Sequence, residues 1–108
     1  MIPQRTLDLI VKRLVKAAQP TRIIMFGSHA RGDAVEGSDL DLLVVKREVS
    51  NRVDEMVRLR RAVGAVDFGV DILVYTPDEF ALKRDWSSTA VYWAAREGKV
   101  LYESVLLA

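Results

Sequence analysis

GSHARGDAVEGSDLDLLVV, residues 27 to 45, decides how this chain folds. It opens on the small pair Gly27-Ser28, runs through glycine and polar residues to Gly37, and ends in an apolar stretch carrying Asp39 and Asp41. The composition of 27–37 predicts a loop with room for one helical turn. Alternation over Asp39 to Val45 predicts a strand. On that strand Leu40, Leu42 and Val44 share one side, while Asp39, Asp41, Leu43 and Val45 share the other, so two carboxylates open the same face.

Just upstream, Arg22 to Phe26 is a β-prone run ending at Gly27. The loop between the two strands is too short for a crossover helix, so the strands are expected to pair antiparallel, which argues against a standard dinucleotide fold. Further upstream, Leu7, Ile10, Val11, Leu14, Val15 and Ala18 recur at helical spacing with basic residues mostly opposite, until Pro20 stops the pattern. Downstream, Val49 to Val66 predicts a second long helix, with Ser50 as its cap and Gly64 near its end. Phe68 to Tyr75 predicts a strand with Asp71, Leu73 and Tyr75 on one face. Pro77 opens a short helix through about Lys83. A last helix is expected over Ser87 to Glu97, and a short terminal strand over Lys99 to Glu103. The pattern predicts an α+β (mixed α/β) class, with a small mixed sheet flanked by helices on at least one face, in a single domain over residues 1–108.

Lys and Arg number 16 against 15 for Asp and Glu, a net charge of +1, so no global field advertises a nucleic acid or membrane partner. The absence of cysteine excludes disulfides, thiolate metal sites and cysteine nucleophiles, and fits a cytoplasmic setting. No signal peptide or membrane span is expected. With His29 as the sole histidine, a Ser-His-Asp hydrolase or a histidine-rich metal site is poorly supported.

Two acids two positions apart on a strand repel each other unless a cation lies between them. Hard oxygen donors suit magnesium, with manganese as a substitute, better than zinc. Asp71 stands in the apolar run GVDILVY, where a carboxylate is either an edge-strand or salt-bridged acid or a third member of the group at Asp39 and Asp41. Gly27-Ser28 permits a tight turn, with backbone N–H groups and a hydroxyl available to an anion, and Arg31 adds charge nearby. The loop lacks the lysine and spacing of a P-loop.

Gly27-Ser28, ten intervening residues, Asp39-x-Asp41 and the lone strand acid Asp71 together resemble the signature of the polymerase-beta-like nucleotidyltransferase superfamily. Within it, the short length, GSHARG and SDLDLLVV resemble the minimal nucleotidyltransferases, and the likeness extends from the first helix to REGKVLYE. The resemblance implies a polymerase-beta-like palm, with Gly27, Ser28 and, less directly, Arg31 at the nucleotide. It also implies two Mg2+ ions on Asp39, Asp41 and Asp71, the last helping to orient or activate an acceptor hydroxyl. Implied too are ATP as donor, tyrosine of a HEPN-type helical protein as acceptor, an antitoxin role in a toxin–antitoxin pair, and a homo- or hetero-oligomer.

Two other readings stay open: a non-enzymatic antitoxin or assembly subunit, and a nucleotidyltransferase acting on RNA or a small-molecule hydroxyl. Direct nucleic-acid binding is not expected, since Arg58, Arg60 and Arg61 read as a solvated face. Phe80, Trp86, Tyr92 and Trp93 read either as interface or as core, with core packing of the two tryptophans at least as well supported. His29 reads as a polar surface residue.

Overall fold

The computed structural model describes residues 2–104. The elements are α1 (Gln4–Ala18), β1 (Arg22–Phe26), α2 (Ser28–Arg31), β2 (Leu40–Val45), α3 (Arg52–Val63), β3 (Val70–Tyr75), α4 (Pro77–Lys83), α5 (Ala90–Glu97) and β4 (Lys99–Glu103). The four strands form one sheet in the order β3-β2-β1-β4. β1 is antiparallel to β2 and to β4, whereas β2 and β3 run parallel through the α3 crossover. The mixed sheet follows from connection length, since only the β2-to-β3 link is long enough to carry the chain back to the same end.

Helices cover both faces of the sheet. Leu7, Ile10 and Leu14 of α1 and Leu59 and Val63 of α3 pack with Leu40, Leu42, Val44, Val70, Ile72 and Val74. On the other face Phe80 of α4 and Val91 and Ala94 of α5 pack with Ile24, Leu43 and Val45. The alternation in β2 is therefore a division between two apolar layers, broken at Asp41, which is half-buried among fully buried neighbours.

Several boundaries differ from the sequence expectation. The second long helix is shorter, Arg52–Val63, and its cap is Asn51, whose side chain accepts from the Asp54 N–H at 3.0 Å; Ser50 lies one position too early. The last helix starts at Ala90 instead of Ser87, because Thr89 caps it and also donates to the carbonyls of Lys83 and Trp86, holding residues 84–89 in turns. β3 begins two residues later than Phe68, and Asp39 lies just before β2. Trp86 and Trp93 are about half exposed (49% and 48%), so core packing is overturned for both. Among the described residues, no helix is long and apolar enough to cross a membrane.

Candidate active site

The parallel register pairs Asp41 with Asp71, and the antiparallel register pairs Asp41 with Phe26, the residue before Gly27. β2 thus carries the middle acid, with the third acid on one neighbouring strand and the glycine turn at the end of the other. Asp71 is exposed on an edge strand, so the burial penalty expected of an acid in GVDILVY does not arise; the edge-strand alternative describes its position.

Burial pushes the Asp41 carboxyl above its ordinary value, and the charges of Asp71 and then Asp39 push it the same way, while His29 opposes weakly. Asp71 is also close enough to hydrogen-bond with it. Two facing carboxylates under mutual repulsion are a hard-oxygen donor pair suited to magnesium or manganese.

Asp39 is placed differently. Its carboxylate lies over Gly69, where a Cβ would come within 2.1 Å of Oδ1. Among the described residues no three acids are gathered closely enough to hold one ion. The site is therefore an Asp41–Asp71 pair with Asp39 alongside, its charge reaching Asp41 but its carboxylate turned toward the loop before β3.

Gly27 is required twice. Its φ of 75° and ψ of −158° lie where side-chain-bearing residues are strained, and a Cβ there would stand 2.3 Å from Asp41 Oδ2. The turn thus closes onto the carboxylate, and Ser28 opens α2 immediately beyond it. Gly69 was missed in the sequence reading. The available signal was an isolated glycine at the start of a strand pattern, which often marks close approach by another group.

His29 is half-buried, and its Nε2 donates to the Ser38 carbonyl at 3.1 Å, since a carbonyl only accepts. The surface-residue expectation is thereby corrected: His29 ties α2 to the loop that delivers Asp39. Arg31 forms ion pairs with Asp33 (3.2 Å) and with Glu97 of α5 (2.9 Å), so its charge is largely neutralised within the protein.

Two grooves meet at Phe26 and Ala90, and the larger of them reaches Asp41. A larger one, about 660 Å³, runs along β3 past Asp41 and Asp71 to Met56, Val57, Arg60 and Arg61 of α3. A smaller one, about 390 Å³, lies between α2 and α5 and is lined by Phe26, Gly27, Arg31, Ala90, Trp93 and Glu97. Phe26 and Ala90 line both.

A mixed four-stranded sheet with paired strand acids beside a Gly-Ser turn defines a class of nucleotide-transferring enzymes. The chain belongs to the nucleotidyltransferase domain family, whose model matches residues 5–100. It is 35% identical over 82 residues to protein adenylyltransferase MJ0604 of Methanocaldococcus jannaschii, an alignment covering 75% of this chain and 77% of that protein. A second protein adenylyltransferase of that organism, MJ1305, is 41% identical over 66 residues, covering 56% of this chain and 45% of its own length.

Among solved structures, a nucleotidyltransferase from Sulfolobus solfataricus superposes with a TM-score of 0.61 at 24% identity, covering 92% of this chain and 81% of that one. A toxin–antitoxin structure with AMP-PNP superposes with a TM-score of 0.65 at 22% identity, covering 90% and 73%. At these identities the superpositions establish the shared fold.

Proposed function

We propose that this chain transfers AMP from ATP to a hydroxyl of a partner protein, and that it acts as the antitoxin toward a HEPN-type toxin modified on tyrosine. The facing pair Asp41 and Asp71 beside the Gly27 turn carries this reading. Relatives named as protein adenylyltransferases favour a protein acceptor, and a neighbour solved with AMP-PNP in a toxin–antitoxin structure favours an adenine nucleotide and a toxin partner.

Asp39, Asp41 and Asp71 would hold two magnesium ions. Bound magnesium supplies positive charge that offsets the triphosphate and lowers the pKa of the acceptor hydroxyl. The Gly27 turn and the Ser28 hydroxyl receive the phosphates, with Arg31 in the wall of the smaller groove beside them. Asp39 and Asp41 serve the triphosphate side. Asp71, exposed at the sheet edge, serves the acceptor side, orienting the incoming hydroxyl and accepting its proton as oxygen attacks the α-phosphorus and pyrophosphate departs.

The test incubates the purified protein with magnesium, each nucleoside triphosphate in turn and the protein encoded beside it, followed by intact-mass measurement of both chains. One or more added AMP masses on the neighbour, abolished when Asp39 and Asp41 become Asn, is the expected result. Neutralisation of the neighbour that survives both substitutions would establish a binding antitoxin instead. Transfer to RNA or a small hydroxyl compound, with no protein modified, would move the activity to that class.

A further inference from the structure

β3 is an edge strand, and its outer edge is guarded over only part of its length. The Leu40 N–H donates to the Gly69 carbonyl at 2.8 Å and the Lys46 N–H to the Tyr75 carbonyl at 3.0 Å. In a parallel ladder with that phase, Gly69, Asp71, Leu73 and Tyr75 direct their main-chain groups toward β2, whereas Val70, Ile72 and Val74 direct theirs outward. Arg52 Nε donates to the Val74 carbonyl at 2.9 Å, and its guanidinium is held by Glu79 and lies 5.0 Å from the centre of the Tyr75 ring. The edge is thus sealed at Val74. Among the described residues nothing pairs with the outward groups of Val70 and Ile72, which flank Asp71.

The larger groove lies along this open stretch. Its Asp71 side holds the paired carboxylates. Its other side is α3, where Val57 is exposed beside Met56, and where Arg60 and Arg61 form no ion pair among the described residues; Arg60 donates only to the Gly64 carbonyl.

We propose that this groove receives the acceptor as an extended polypeptide segment that adds to β3 as a fifth strand, paired through Val70 and Ile72. Alternation along the added strand does the rest. A hydroxyl-bearing residue on the Asp71 side has its two neighbours on the α3 side, one against Met56 and Val57 and one against Arg60 and Arg61. The segment is therefore recognised as a hydroxyl residue flanked by one apolar and one acidic residue, the acid forming charge-assisted hydrogen bonds to guanidinium groups that form no ion pair among the described residues. A nucleic acid strand would meet the same arginines but offers no main-chain partner for Ile72. This inference rests on the proposed transfer to protein.

The test uses the whole chain, labelled with 15N, and nonapeptides with a central tyrosine, serine or threonine between valine and glutamate in both orders. Control peptides carry lysine for glutamate or N-methyl groups along the backbone. Chemical shifts of the Val70, Asp71 and Ile72 amides report binding independently of catalysis. Expected are shifts with the glutamate peptides, at least tenfold weaker binding after N-methylation, and a preference reversed toward lysine in Arg61→Glu and in the Arg60→Glu/Arg61→Glu pair.

Binding insensitive to N-methylation and to charge, or shifts from an oligoribonucleotide and none from any peptide, would overturn the inference. So would transfer to the neighbouring protein with no involvement of the β3 amides, which leaves the proposed activity standing. Peptide pairing at β3 with no nucleotidyl transfer to any protein would sink the activity and keep the groove.

Discussion

At the scale of single residues, the site depends on what glycine leaves out. Gly27→Ala places a methyl group where Asp41 Oδ2 now lies and forces an alanine to a φ of 75°. Urea unfolding should show a loss of about 1–3 kcal/mol, typical of one strained residue, with transfer activity falling because the carboxylate is displaced. Asp71→Asn keeps the volume and the exposed position but removes the proposed proton acceptor. Its kcat should fall about 100-fold or more while the KM for ATP changes little, the pattern expected when a general base is lost; equal loss in both parameters would place Asp71 at the nucleotide. The closeness of Asp39 and Asp41 was legible from their two-residue spacing, while Asp71 stood out only as an acid in an apolar strand that pairs with β2. The part played by Gly69 was not, because it depends on where the loop before β3 passes Asp39, a contact between residues thirty positions apart in sequence that local pattern cannot show.

At the scale of elements, α1, β1, α4 and β4 were read with boundaries within a few residues of those observed, because each is bounded by strong punctuation such as Pro20, Gly27, Pro77 and Gly98. The start of α3 was misread since Ser50 and Asn51 are both good caps and only the side-chain geometry chooses between them. Cover on the second face was left open, because α4 and α5 are short, and the exposed Trp86 between them and Trp93 within α5 do not mark the buried side. Once formed, α3 is fastened to the end of β2 by Glu55, which pairs with Lys46 and accepts from Arg58 at 2.7 Å. The hydrogen bond from Arg58, and then that from Lys46, hold the Glu55 carboxyl down to about 2. A depressed folded pKa gives stability that is present above the unfolded value, near 4.3, and lost as pH falls toward about 2. Glu55→Gln should therefore cost up to about 1 kcal/mol at pH 7, and the gap between variant and parent should close between about pH 4.5 and pH 2 in denaturant titrations.

At the scale of the whole molecule, the facing carboxylates repel each other in the folded state, and the proposed cation would relieve that repulsion. Because the Asp41 carboxyl lies above its ordinary value, the folded state favours its protonated form. Without metal, the parent should gain stability as pH drops from neutral through that raised pKa, and Asp41→Asn should melt higher than the parent at pH 7 in chelator. Magnesium with a non-hydrolysable ATP analogue should reverse the order, raising the parent by about 2.7 kcal/mol at a hundredfold excess over Kd and leaving the variant nearly unmoved. A parent whose melting temperature ignored both chelator and magnesium would show that the pair binds no ion. The snug seating of Asp41 on Gly27 and of Asp39 on Gly69 also bears on how such a domain ages. A descendant that gave up catalysis and kept only a binding role would lose its acids, and with them the steric veto at two backbone positions. Larger residues could then drift into the place of Gly69 first, where no positive φ is demanded, and later into that of Gly27. Paired decay of an acid and its facing glycine would thus be the genetic scar of a retired transferase.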